Sequence, residues 1–259
     1  MNLFEKVTRR SLIRTKHLND LRIRAASVGT LANFLRSMPE DQMTNLLATL
    51  DDSKSQFQQD LFGMVTAGFK HGGYFVEFGA ASGVQYSNSW MMEKCFGWSG
   101  IVSEPAHVWH DKLARSRTCH VETDCVWKAT GEQIEFLQND HGMLSAISGF
   151  GKAEGTVKGQ AHVQSYSVRT ISLMDMLDKY DAPEVIDFLS VDTEGSEFEI
   201  LSAFDFSTRN IRAMVIEHNH KPQREDLYNL LTKNGYLRVL THLSGPDDWY
   251  VRPGETVFG

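Results

Sequence analysis

The chain has 259 residues, 41% of them hydrophobic and 23% charged, and a net charge of -7. That is enough chain for one large α/β domain with appendages and a sizeable core. The acidic total argues against a nucleic-acid partner, whose phosphates need a basic face, and no apolar run is long enough to span a bilayer or form a secretory signal. Cys95, Cys119 and Cys125 are an odd number without CxxC spacing. Neither a disulfide framework nor a cysteine zinc site is expected, and a reducing, cytoplasmic setting fits best.

The first elements read as helices, from Met1 to about Gly68. Residues 1–24 hold seven Lys or Arg (Lys6, Arg9, Arg10, Arg14, Lys16, Arg22, Arg24) against Glu5 and Asp20. Such an arm offers a surface to an anionic membrane, an acidic partner or a second subunit, or is simply a solvated helix face. Pro39 with Glu40 and Asp41 reads as a helix first turn, and Ser55 with Gln58 as a capping box leading into "FQQDLFGMVTAG". We divide the chain into an N-terminal helical extension, 1–54, and a catalytic domain, 55–259.

Past Gly72-Gly73 short apolar runs alternate with polar helical stretches, the pattern of βαβ units and a parallel sheet. The expected strands are "YFVEF" (74–78), "GIVSE" (100–104), "CHVET" (119–123), "VIDFLSVD" (185–192) and "AMVIEH" (213–218). A helix follows, with Pro222 near its first turn, Leu227, Leu230 and Leu231 on one face, and Gly235 at C′. Two more strands are expected around "YLRVLTHL" and "DWYVR". Between these elements Ser148–Gln164 is glycine-rich and aperiodic, a lid or a plain excursion.

Ligands of open parallel sheets bind beyond the carboxyl ends of the strands, where the polar features of this sequence collect. Glu77 closes the first strand and Gly79-Ala80-Ala81-Ser82-Gly83 turn behind it. Small residues there let a ligand meet backbone N–H groups, although a tight strand-to-helix connection needs them as well. Glu104, 25 positions after Gly79, stands where a ribose-binding carboxylate follows a nucleotide-binding turn. The turn lacks G-x-G-x-x-G, and a carboxylate at Glu77 would repel a pyrophosphate but hold a cationic amino-acid group. This favours S-adenosylmethionine over NAD. Farther on, "VDTEGSE" sets Asp192, Glu194 and Glu197 at a strand end and helix start, and "VIEHNH" sets Glu217, His218, Asn219 and His220 at the next. Glu197 reads as a helix-dipole partner, whereas Asp192 and Glu217 end apolar strands, where burial perturbs carboxylates and sites are built.

The series "GGYFVEFGAASG", "SNSWMMEKCFGWSGIVSEP", "VRTISLMDML", "IDFLSVDTEGSEFEIL" and "VIEHN" resembles the FkbM family of S-adenosylmethionine-dependent methyltransferases, from about Gln56 to Arg252. The resemblance implies a Rossmann-like, seven-stranded, mostly parallel methyltransferase sheet with helices on both faces, and methylation of hydroxyls on sugars, glycans or natural products. It implies that Glu77, Gly79, Ala81 and Gly83 form the cofactor turn, Glu104 holds the ribose, Asp124 and Cys125 lie near the adenine, and Asp192, Glu194 and Glu217 face the transfer site. One departure stands out: the family often has Lys two positions before the aspartate of "VDTEGSE", and here that residue is Ser190.

An alcohol needs a base or a metal to become a nucleophile. His218 and His220 are candidate bases, and Asp192, Glu217 and Asn219 offer oxygen ligands to a cation such as Mg²⁺. Trp249 is a candidate stacking platform for a sugar ring, or packs in the fold. The competing reading is a non-catalytic, methyltransferase-like binding or scaffold protein. An appended helical arm also gives a second copy of the chain a place to pack.

Overall fold

Glycines on both sides isolate "YFVEF", and the apolar run between them leaves no face for solvent, so it forms the middle of a covered sheet. The computed structural model describes residues 29, 31–139, 142, 145–150 and 163–254. Within them the strands are Tyr74–Phe78 (β1), Ser99–Ser103 (β2), His120–Glu122 (β3), Cys125–Trp127 (β4), Gln133–Asn139 (β5), Ala146–Ile147 (β6), Val163–Ser172 (β7), Val185–Val191 (β8), Asn210–Glu217 (β9), Leu237–Val239 (β10) and Asp247–Val251 (β11).

Seven of these form one sheet in the order β10-β11-β9-β8-β1-β2-β3. Adjacent strands from β9 to β3 are parallel, and β11 runs antiparallel between β9 and β10. The strand order turns back at β1 and β8, so a crevice opens beyond their carboxyl ends. Alternate residues feed two cores. Val76, Phe78, Leu189, Val191, Met214 and Ile216 meet Leu173, Met176, Leu201 and Leu227 on one face. Phe75, Phe188, Val215 and Trp249 meet Leu61, Phe62, Met91 and Met92 on the other. The seven-stranded, mostly parallel α/β sheet expected from the sequence is thus the one observed.

Helices at 31–36 and Met43–Thr49 precede the sheet, the second entered through a 3-10 turn, Glu40–Gln42, behind Pro39. They send Phe34 and Leu46 into the second core, which Met38 joins from the link between them. The basic arm, residues 1–24, lies outside the described residues. Among those described, no helix is long and apolar enough to cross a membrane.

Three expectations need correction. Ser55 does not cap the helix Gln59–Thr66: Gln58 holds the cap position in a left-handed conformation, and Ser55 donates instead to Asp60. Buried Asp60 also receives Ser53 Oγ, Lys54 N and Leu61 N, so the segment before the helix is tied to it rather than to a Ser55 cap. Second, a separate sheet, β4-β7-β5-β6, occupies the stretch between β3 and β8. It includes Val163 and Gln164, which the sequence reading put in the glycine-rich excursion; residues 151–162 lie outside the described ones. Third, β11 is an interior strand and Trp249 is fully buried, stacked on Phe62 at 4.8 Å and edge-on to Phe34 at 6.0 Å. A ring enclosed in this way cannot serve as a platform for a sugar.

Trp249→Ala should therefore cost about 3–5 kcal/mol of unfolding free energy, as large core truncations do. Urea unfolding measures it, and a loss below about 1 kcal/mol would contradict a core position for this ring.

Candidate active site

The chain must turn sharply after β1 because the end of β8 stands in its way. A Cβ built on Gly79 would collide with the carbonyl oxygen of Asp192, and Gly79 takes a φ of 72°, which glycine adopts without strain. Its N–H and that of Ala80 both donate to Ser103 O at the end of β2 (3.0 and 3.2 Å). Ala81, also left-handed at φ 46°, donates its N–H to Glu104 Oε2 at 2.8 Å. The second glycine serves packing: a Cβ on Gly83 would meet Leu113, Ser116 and Arg117 at 2.6–2.8 Å. Both glycines are thus required by neighbouring chain rather than by a ligand.

Glu104 follows β2, and its other oxygen accepts from Ala106 N at 2.8 Å. Burial pushes this carboxyl up to about 7, even though the two N–H donors pull it down. It lines a cavity open to solvent beyond the ends of β1, β2 and β8. Gly79, Ala81 and Pro105 share its wall; Cys125, Val126, Phe136 and Ile147 make an apolar side, and Asp192, Thr193 and Glu194 close the far end.

That far end is dominated by like charge. Asp192, Glu194 and Glu217 each bring an oxygen within 4.8 Å of the other two. Glu194 holds a left-handed φ of 61°, a strained backbone of the kind that collects at functional sites. Desolvation by the surrounding protein, together with Glu217 and Glu194, holds the Asp192 carboxyl well above the usual range. Because Asp192 itself opens to solvent, the like charges are the firmer cause. Glu217 is raised to about 8 by burial and by Glu194 and Glu197. Asp247 lies opposite Glu217 in the β11–β9 register and is raised to about 7 by burial, partly offset by Gln59 Nε2 donating at 2.7 Å. Sequence reasoning overlooked Asp247; its signal was a carboxylate beginning an apolar run, as Asp192 ends one.

Residues 77–238 match the family described as the methyltransferase FkbM domain, well over half of the chain. The protein belongs to the FkbM methyltransferase family. No curated protein matches it. Among solved structures the methyltransferase is similar to the precorrin-6y C5,15-methyltransferase of Geobacter metallireducens GS-15, at 9% identity and a TM-score of 0.41, over 74% of this chain and 85% of that one. It is also similar to a sarcosine dimethylglycine methyltransferase, described as putative, from Galdieria sulphuraria, at 10% identity and a TM-score of 0.32, over 71% of this chain and 63% of that one.

Not every residue singled out from the sequence of this methyltransferase reaches the cavity. Gly79, Ala81, Glu104, Cys125, Asp192 and Glu194 line it; Glu77, Gly83, Asp124, Glu217, His218 and Asn219 do not. The Glu77 carboxylate, expected to take a cationic cofactor group, is spent inside the protein on Ser87 Oγ (2.8 Å), Asn88 N (2.7 Å) and Ser89 Oγ (2.5 Å), with Arg117 3.5 Å away. Ser190, its register partner on β8, accepts from Asn88 Nδ2 at 2.9 Å. Asp124 lies 3.8 Å from Arg169 Nε. Its neighbour Cys125 is a free thiol pushed up to about 12 by burial, which leaves it protonated and inert.

His218 is buried with its ring turned from the cavity: Nδ1 accepts from His220 N at 2.9 Å, and Nε2 faces Asp248 at 3.7 Å. Asn219 approaches Glu194 Oε2 at 3.5 Å, so the acidic trio gathers Glu194 in the place that the sequence reading gave to Asn219. Glu197 accepts from Thr193 N (3.1 Å) and Gly195 N (2.8 Å), holding the loop between β8 and its helix.

The shift of Glu217 from 4.5 to about 8 has a definite sign. A carboxyl raised on folding leaves stability intact below its unfolded pKa and erodes it as pH climbs to the folded one. Glu217→Gln should therefore raise the thermal midpoint by several degrees at about pH 9 and change it little at about pH 5. Equal effects at both pH values would contradict the like-charge account.

Proposed function

We propose that the protein is an S-adenosylmethionine-dependent O-methyltransferase acting on a hydroxyl of a sugar, glycan or natural-product acceptor. Glu104 is the observation that carries the reading. It is buried, holds only two backbone donors at the end of β2, and turns its remaining acceptor capacity to a cavity ending in Asp192 and Glu194. The vicinal hydroxyls of a ribose are a matched pair of donors for such a carboxylate. The apolar wall of Val126, Phe136 and Ile147 suits the face of a purine. Asp192 and Glu194 suit a cationic end and oppose a pyrophosphate, which supports the adenosyl sulfonium over NAD.

When bound, S-adenosylmethionine supplies a methyl group on a positively charged sulfur. The residues of this chain would do the remaining work. Burial and like charge hold the carboxyls of Asp192 and Glu217 above the usual carboxylate range, and positive charge brought beside them lowers their pKa. A carboxylate released in this way can accept the proton of an acceptor hydroxyl held against it. A neutral amine would need no such base, which supports an oxygen acceptor. The magnesium ion considered from the sequence enters no step here, since an all-carboxylate trio can offset its own charge by sharing protons.

Calorimetric titration with S-adenosylmethionine and S-adenosylhomocysteine, with NADH as control, tests the reading. Both adenosyl ligands should bind. Because the ionised Glu104 is the form that receives the ribose, affinity should rise up to about tenfold per pH unit towards pH 7 and level off above it. Glu104→Gln should bind weakly and lose that part of the pH dependence. Folded wild-type protein that binds neither adenosyl ligand would overturn the proposal.

A further inference from the structure

The stretch Gly79–Ser89 joins β1 to the helix Trp90–Phe96 without regular secondary structure, yet it carries Gly79 and Ala81 of the cavity wall. Its own backbone bonds are few: Gly83 N to Ala80 O and Ser87 N to Val84 O, besides the pair that Ser103 O receives. Something else must hold its shape. Arg117, the residue that ends the helix His107–Ser116, fills that place with a side chain wholly out of solvent.

The guanidinium is fully engaged with this stretch and its neighbours. Nη1 donates to Gly83 O (3.3 Å) and Ser87 Oγ (3.1 Å), and Nη2 to Ser89 Oγ (2.8 Å). Nε donates to Glu93 on the following helix, and Nη1 stands 3.5 Å from Glu77 Oε2. Its stem packs where a Gly83 side chain would otherwise be, and its head lies over the Phe75 ring, 5.3 Å from the centroid. The chain of contacts then continues from Glu77 to Asn88 N, and from Asn88 Nδ2 to Ser190, two residues before Asp192. A planar fork can tie several acceptors of different elements at fixed angles, which a point charge cannot. A buried arginine between two carboxylates is costly to desolvate, so it is better explained as setting one conformation than as adding stability.

We propose that Arg117 is a positioning residue that clamps the stretch Gly79–Ser89 in the shape that receives the adenosyl group, through its fork to Gly83, Ser87 and Ser89 and its charge between Glu77 and Glu93. The assignment rests on the cofactor reading above for its ligand, but the clamp itself is a property of the free protein.

Two variants test it. Arg117→Lys keeps the charge and loses the fork; Ser87→Ala combined with Ser89→Ala removes the two serine acceptors of the fork, and with them two donors to Glu77, and leaves the contacts of Arg117 with Gly83 O and Glu93 in place. In Arg117→Lys, amides of residues 79–89 should exchange at least about tenfold faster in the absence of any ligand, with the strands of the sheet unaffected. S-adenosylhomocysteine should bind about tenfold more weakly, and the KM for S-adenosylmethionine should rise while kcat stays within about threefold, as expected when binding is lost without loss of chemistry. The paired serine variant should shift exchange and affinity in the same direction, and it decides the matter if Arg117→Lys does not fold. Wild-type exchange over 79–89 and wild-type affinity in a folded variant would overturn the proposal. If wild-type protein binds no adenosyl ligand, the cofactor reading fails, and the exchange measurement still decides the clamp.

Discussion

Two strand ends meet so closely at Gly79 and Asp192 that no side chain fits between them, and the rest of the site follows from that contact. The turn after β1 is driven into left-handed geometry, its N–H groups are delivered to the ends of β2, and the Ala81 N–H reaches Glu104. With β1 and β8 at the middle of the sheet, the space beyond them can only open between Glu104 on one side and Asp192 on the other. A cavity whose walls are set by backbone approach is preorganised before any ligand arrives, which spares binding part of its ordering cost.

The buried carboxylates of the molecule fall into two groups. Glu77 points into the otherwise apolar core beside the helices Gln59–Thr66 and Trp90–Phe96, where hydroxyls, an amide N–H and Arg117 meet its demands. Glu93 shows how thorough that pairing is: burial alone would raise it, yet Lys94, Arg117 and Thr118 hold it down to about 2. Asp192 and Glu217 are treated in the opposite way. They are desolvated and crowded with like charges, with no arginine paired to them among the described residues, so their carboxyls are raised. One group of carboxylates is thereby committed to architecture, while the other forms a like-charged cluster at the strand ends.

Much of this was legible in the chain. The strands β1, β2, β8 and β9 are bounded apolar runs covered on both faces, so their positions read out within a few residues. The sheet β4-β7-β5-β6 escaped notice because "QIEFLQN" and "VQSYSVRTIS" are polar on one side and carry few apolar residues. Glu77 and His218 were misjudged for a shared reason. Each stands at a strand end, but the side chains that claim it, Arg117 for Glu77 and Asp248 for His218, lie far away in sequence, and only the fold brings them near. Trp249 could be read from the sequence either as a sugar platform or as a packed residue of an edge strand; insertion of β11 between β9 and β10 puts it in the core.

The most direct measurement is a crystal structure of the protein with S-adenosylhomocysteine bound. The account predicts ribose hydroxyls on Glu104, the adenine against Val126 and Phe136, the sulfur directed towards Asp192 and Glu217, and the Glu77–Arg117 pair intact behind the turn. A ligand whose ribose avoids Glu104, or whose amino-acid end breaks Glu77 from Arg117 to reach it, would contradict the account.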